Sequence, residues 1–169
     1  MFANQKGGVG KTTSAVNLGA YVAEAGKRVL LIDFDPQGNL SSSIGADTDR
    51  EGVYEVITDS TTVEKAVQDT TVEGLQVIPS NINLTGANIE LIDQAERESF
   101  LKKALLPVKG RWDYIFVDCP PSLGILTLNG LVAAEYVIIP LQCEYFPLAG
   151  LSLLLQSIRR VQEIRNTNL

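Results

Sequence analysis

The 169-residue sequence has no histidine, one tryptophan, one methionine and two cysteines, and its 14 basic residues are outnumbered by 20 acidic ones. With a net charge of −6, a surface that binds nucleic acid by charge alone is excluded, because neutralising phosphates takes clustered Lys and Arg. Any DNA contact has to be local or lie elsewhere. Cys119 and Cys143 stand alone without a Cys-x-x-Cys partner, which argues against a disulfide framework and against a thiolate metal site. They are expected as free thiols in a reducing compartment, Cys119 as a small core residue. No apolar run is long enough to span a bilayer, and the N-terminus lacks the charged and apolar regions of a signal peptide. The chain is therefore expected to be soluble and cytoplasmic, with no membrane partner. Its 45% hydrophobic content suffices for one core, so residues 1–169 are expected to form one domain around one sheet.

Against these absences, the stretch Lys6-Gly7-Gly8-Val9-Gly10-Lys11-Thr12-Thr13 stands out. It fits the P-loop pattern Gly-x-x-x-x-Gly-Lys-Thr with one substitution, Gln5 occupying the position of the first glycine. Glycines at 7, 8 and 10 let successive backbone N–H groups turn inward around phosphate oxygens. Lys11 then opens a predicted helix, adding its ammonium to the positive helix end beside the terminal phosphates, and Thr12 offers a hydroxyl to Mg²⁺. A glycine-rich run alone is usually a turn. Here the glycines, lysine and hydroxyls stand in order between a strand end and a helix, which favours a nucleotide cradle. Lys6 is not needed for that cradle and is available to reach another phosphate, including one outside its own subunit.

The remaining pattern is α/β: a doubly wound, mainly parallel sheet flanked by helices, the P-loop NTPase arrangement. Met1 to Ala3 read as the tail of a first strand, and Thr12 to Ala25 as a helix closed by Gly26. The apolar run Val29 to Ile32 has the continuous hydrophobicity of a parallel strand buried on both faces, and it ends in Asp33 and Asp35. Carboxylates at the carboxyl end of such a strand sit where open α/β sheets hold ligands. Asp33 suits a Mg²⁺-bound water, and Asp35 suits orienting or deprotonating the water that attacks a γ-phosphate. Trp112 to Val117 ending in Asp118 reads as a Walker-B strand, with Asp118 holding Mg²⁺ directly or through water. The prolines at 120 and 121 stop that strand and open a switch-like loop.

Elsewhere the pattern predicts a short helix around Val63 to Val67, a strand at Leu75 to Ile78, a helix from Ile89 to Leu106, a helix from Leu126 to Ala134, and a buried strand at Tyr136 to Ile139. A long helix opens at Leu148, with Leu151, Leu155, Ile158, Val161 and Ile164 as its sheet-facing stripe and Arg165 complementing its dipole. Glu96, Arg97, Glu98, Lys102 and Lys103 read as a solvated face, and residues 142–147 as a loop that can expose aromatics. Residues 40–74 suggest no chemistry.

Four ordered blocks, Asn4 to Thr13, Asp33 to Asn39, Asp118 to Gly124 and Gln142 to Tyr145, resemble the ParA/Soj chromosome- and plasmid-partitioning ATPases, whose larger class carries a deviant Walker A loop. The resemblance implies ATP and Mg²⁺ as cofactors and a homodimer that sandwiches ATP, with Lys6 contacting the nucleotide of the opposite subunit. It implies Lys11 on the β and γ phosphates, Thr12 on Mg²⁺, Thr13 on the α-phosphate, Gly7 at the dimer face, Asp35 on the attacking water, and Asp33 and Asp118 supporting the metal. It further implies non-specific DNA binding on the nucleoid and slow hydrolysis stimulated by a ParB-type partner. Members of the family extend past Leu169 and begin before Met1, so the sequence is expected to lack the C-terminal part that contacts adenine and DNA. Two other readings share the loop: a MinD-like membrane-associated regulator, and a nucleotide-binding module silenced by truncation. A nitrogenase-iron-protein-like reductase needs cluster-bridging cysteines that Cys119 and Cys143 do not match.

With Lys11 as the phosphate-binding ammonium, Lys11→Ala is expected to abolish ATP binding in a titration; unchanged affinity refutes its role.

Overall fold

The computed structural model describes the backbone of residues 1–142 and 148–169, with all their side chains except those of residues 88, 148 and 149. In chain order the helices and strands are α1 (Lys11–Glu24), β1 (Val29–Asp33), α2 (Asn39–Ser43), α3 (Val53–Ile57), α4 (Val63–Ala66), β2 (Gln68–Asp69), β3 (Leu75–Ile78), α5 (Leu84–Glu90), α6 (Phe100–Leu105), β4 (Tyr114–Asp118), α7 (Ile125–Ala133) and α8 (Leu148–Ile164). The sheet runs β2-β3-β1-β4, with β1 parallel to both β3 and β4 and the two-residue β2 antiparallel at the edge.

β1 is central and buried at all five positions, as its unbroken apolar sequence requires. Its residues alternate between two cores. Val29 and Leu31 join Phe2, Ala15, Ala23, Leu40, Leu75 and Val77 on the α1 side. Leu30 and Ile32 join Ile78, Val117, Leu101, Leu126, Leu131 and Leu154 on the other. Burying each such side chain contributes roughly 1.5–3 kcal/mol, so a one-residue slip of β1 would exchange the partners of both layers. Helix α1 lies tight on the sheet at Gly19, where a Cβ would come within 2.8 Å of Leu31 Cδ2.

The expected first strand is reduced to one bridging residue. Phe2 sits between Asp118 of β4 and Ile138 in parallel orientation. Its N–H donates to Val117 O at 2.8 Å, its C=O accepts from Cys119 N at 3.3 Å, and Ala3 N–H reaches Ile138 O at 3.1 Å. The segment expected as a buried strand at Tyr136 to Ile139 is instead the half-exposed margin of the sheet. Tyr136 is 80% exposed and Ile138 39%, because among the described residues nothing pairs with its outer side.

The helix expected from Ile89 to Leu106 is broken. α5 ends at Glu90, Glu96 takes a left-handed backbone (φ 53°), and a 3₁₀ turn at Arg97–Ser99 leads into α6. The break is stabilised from another helix. Buried Asn129 of α7 accepts the Leu101 N–H at 3.1 Å and donates to the carbonyls of Arg97 at 2.7 Å and Ile125 at 3.0 Å. It thus satisfies first-turn groups that a continuous helix would pair internally. The expected solvated charges include an exposed Lys103–Glu96 pair at 2.6 Å.

α8 is present, but its buried face is centred on Leu154 and Val161 with Ile158 packed beside them, while Leu155 and Ile164 are 42% and 60% exposed. The stripe chosen from spacing is rotated because Leu154, not Leu155, meets the α7 layer. Arg165 pairs with Glu98 at 2.5 Å across to the 3₁₀ turn. Cys119 is buried among core residues, as expected, and burial pushes its thiol pKa well up, so it is inert. Of the loop expected at 142–147, Gln142 is described, and Cys143 and the rest of 143–147 lie outside the described residues.

Asn129→Ala leaves buried backbone groups unpaired and is expected to lower unfolding stability by about 1–3 kcal/mol, read from the midpoint of urea denaturation at unchanged m-value.

Candidate nucleotide-binding site

The Lys6 to Thr13 stretch folds as a loop that turns through two left-handed glycines, Gly8 (φ 72°) and Gly10 (φ 89°), into the start of α1 at Lys11. Only residues without a Cβ adopt these angles freely, which explains their identity. The first intrahelical contact is Ser14 N–H to Gly10 O at 2.8 Å, so the amides of Lys11, Thr12 and Thr13 have no acceptor within the helix and form a positive helix end. Gly7 and Gly8 are exposed and Lys11 is buried, its ammonium beside the strand-end acids.

The acids converge as the sequence predicts. β1 and β4 run in register, pairing Asp33 with Asp118, and Phe34 N–H donates to Asp118 O at 2.9 Å. Thr12 Oγ1 donates to Asp118 Oδ2 at 2.5 Å, tying the helix start to the second strand end. Asp118 Oδ1 is buried without a hydrogen-bond partner among the described residues. Burial pushes the Asp118 pKa up to about 6; the Thr12 hydrogen bond and Lys11 lower it, while the charges of Asp33 and Asp35 raise it. Asp33 is fully buried, and its pKa is also raised, chiefly by burial, against hydrogen bonds from Ser41 and the Asp35 amide. Asp35, nearly buried, accepts the Gln37 N–H on Oδ1 at 3.0 Å.

Three contacts lace the front of the loop to the margin segment. Asn4 Nδ2 donates to Pro140 O at 2.8 Å, Lys6 Nζ to Gln142 Oε1 at 3.1 Å, and Gln142 Nε2 to Gly8 O at 3.3 Å. Val9, Thr12 and Thr13 complete the loop and its helix start. Gln142 stands in the last of the four family-like blocks; Cys143 to Tyr145 of that block lie outside the described residues.

Sequence reasoning missed Ser41. Its amide and hydroxyl donate to Asp33 Oδ2 at 2.8 and 2.6 Å, and its Oγ accepts the Ser80 N–H at 2.9 Å. The site therefore draws on residues 40–74, where no chemistry was expected. A serine run just after a Pro-Gly turn was the only signal, and serine runs are common in loops.

Among the described residues, no three carboxylate, histidine or cysteine groups converge closely enough to hold a metal alone. The donors at hand are a threonine hydroxyl, an orphaned carboxylate oxygen and a second carboxylate. That hard, oxygen-only set matches a Mg²⁺ completed by phosphates and water.

A model of the AAA domain family matches residues 1–169. The chain is 57% identical to the chromosome-partitioning ATPase Soj of Treponema pallidum, with 100% of this chain and 66% of that protein aligned. It is 55% identical to the sporulation initiation inhibitor protein Soj of Bacillus subtilis, with 98% and 66% aligned. The chain thus spans 66% of the length of these two relatives. Among solved structures it is similar to a Mycobacterium smegmatis protein described as cobyrinic acid a,c-diamide synthase with bound ADP and magnesium. The TM-score is 0.94 at 48% identity, covering 99% of this chain and 69% of that one.

Because the folded state holds Asp118 protonated to higher pH than the unfolded chain, the unfolded state binds fewer protons between about pH 4 and 6, and stability falls as pH rises through that window. Asp118→Asn removes this cost. It is expected to raise unfolding stability at pH 7 by about 1–3 kcal/mol, with the gain shrinking below pH 5, as measured by denaturant titration across pH without added nucleotide.

Proposed function

We propose that the chain, which belongs to the AAA domain family and is similar to the Soj and ParA partitioning proteins, is a Mg²⁺-dependent, ParA/Soj-like ATPase of chromosome or plasmid partitioning. The observation that carries this reading is the joining of the loop to the acids: Thr12, one residue after the buried Lys11, is bonded to Asp118, which is paired in register with Asp33. A glycine loop alone binds anions; a glycine loop fixed to two buried acids has the means to hold a metal–triphosphate.

In this reading the amides of Gly8 to Thr13 wrap the phosphates, and Lys11 binds the β and γ oxygens that carry most charge. Thr12 and Asp118 would hold Mg²⁺, with Asp33 supporting it through water. The ion supplies charge neutralisation on the phosphates when bound. Its positive charge also offsets the burial that raises the Asp118 pKa, so Asp118 serves as a carboxylate once ligand is in place. Asp35, held by Gln37 N–H through Oδ1, has its other oxygen to orient the attacking water.

Gly7 supports the sandwich dimer. Its backbone is not left-handed, and a Cβ there would meet nothing within 4 Å of this chain. Neither conformation nor internal space demands glycine at that position; close approach of a second subunit does. Lys6, on the same edge of the loop and bonded to Gln142 in this chain, is assigned to the opposite nucleotide in the dimer. Dimer-dependent binding of non-specific DNA and stimulation by a ParB-type partner complete the proposal. The Mycobacterium smegmatis protein carries a synthase description, but the chromosome-partitioning reading has support from the Soj relatives, which align with 98–100% of this chain at 55–57% identity.

Asp35→Ala is expected to keep ATP binding and ATP-dependent dimerisation and to lower steady-state hydrolysis by a hundredfold or more, on the order of the loss when a water-orienting residue is removed. Phosphate release, sedimentation velocity and co-sedimentation with random-sequence DNA measure the three properties. The measurements use a form extended to the full length of the Soj relatives; wild-type turnover by the variant removes the assignment, and absence of ATP-dependent DNA binding by that form without the substitution counts against partitioning.

A further inference from the structure

Asp33 is held by an arrangement that treats its two oxygens differently. Oδ2 accepts two short hydrogen bonds, from Ser41 N at 2.8 Å and Ser41 Oγ at 2.6 Å. Among the described residues, Oδ1 accepts only the longer contact from Asp35 N at 3.3 Å. The hydroxyl proton of Ser41 has no choice of direction. Its Oγ already takes the Ser80 N–H at 2.9 Å, and a serine hydroxyl has one proton, which is left for Asp33. A hydroxyl that receives from a backbone amide and gives to a carboxylate is a polarised relay, and it is stronger than either bond alone.

The relay joins two strand ends through a short helix. Asp33 closes β1, Ser41 lies in α2, and Ser80 follows β3. Ser41 is 0% exposed and Ser80 1%, so water does not compete for these bonds. The cost of burying Asp33 beside Asp35 and Asp118 is what Ser41 works against, since both of its hydrogen bonds favour the ionised carboxylate.

We propose that Ser41 is a positioning residue for the metal–nucleotide site, saturating Asp33 Oδ2 so that the carboxylate is held in one orientation and keeps Oδ1 for a magnesium-bound water. The inference rests on the nucleotide-site reading above and adds to it a residue outside every motif in the sequence. Ser41 touches neither nucleotide nor metal; it acts through Asp33. Loss of an outer-shell partner of this kind typically weakens metal affinity by roughly 10–100-fold.

The test measures affinity for a fluorescent ATP analogue with Mg²⁺ and with EDTA, so that the gain due to the metal is read separately from phosphate binding. Ser41→Ala is expected to leave affinity in EDTA within about twofold of the unmodified protein and to reduce the Mg²⁺-dependent gain by roughly tenfold or more. Asp33→Asn is expected to show the same loss, and the double variant no further loss, because both substitutions break one connection. Ser41→Cys keeps a similar volume but donates weakly, and is expected to fall between serine and alanine. It supplies the answer if the alanine variant does not fold, as judged by circular dichroism. An undiminished Mg²⁺-dependent gain in a folded Ser41 variant, or additive losses in the double variant, overturns the role of Ser41 alone. No Mg²⁺-dependent gain in the unmodified protein overturns the nucleotide-site reading itself, and this inference with it.

Discussion

The site depends on two like charges forced together. β1 and β4 are parallel neighbours in register, so their last residues, Asp33 and Asp118, end side by side in a setting almost without water. The sheet creates this conflict and the surrounding loops ease it. Lys11 lowers the cost at Asp118, Thr12 donates to its Oδ2, and Ser41 donates twice to Asp33. The easing is incomplete, since both acids keep raised pKa values and Asp118 Oδ1 has no partner among the described residues. A fold that tolerates this conflict gives up stability at one sheet end for a place where positive charge is strongly favoured.

That conflict explains the order of the chain. The two apolar cores carry the stability, one on each face of β1, and leave the carboxyl ends of the strands free for polar chemistry. Helix α1 contributes to both tasks: its body packs against Leu31 at Gly19, and its first turn meets Asp118 through Thr12. Moving α1 along the sheet would therefore disturb the core and the site together.

Much of this was legible in the residues because the signals are local. Glycines at 8 and 10 needing left-handed backbone, a lysine at a helix start, and unbroken apolar runs ending in acids each specify their own surroundings within a few positions. What was not legible is set by distant partners. The break between α5 and α6 depends on Asn129, 28 residues beyond Leu101, and helix-forming residues on both sides conceal it. The contacts of Ser41 with Asp33 and Ser80 exist only once β1 and β3 are paired. The margin segment from Tyr136 to Ile139 has the composition of a buried strand, but burial depends on neighbours, and alternation cannot reveal their absence. The rotation of the α8 stripe from Leu155 to Leu154 is the same lesson at one-residue scale.

The bridge of Phe2 to Ile138 is a seam that holds the N-terminus against the margin of the sheet. Ile138 N–H donates to Met1 O at 2.8 Å, its C=O accepts from Ala3 N–H at 3.1 Å, and the terminal ammonium of Met1 donates to Tyr136 O at 2.7 Å. The glycine loop begins only a few residues further on, so the seam is also its near anchor. A proline at Ile138 would remove the donor to Met1 and unpick that anchor from behind, whereas a threonine would keep both backbone bonds and leave the seam closed.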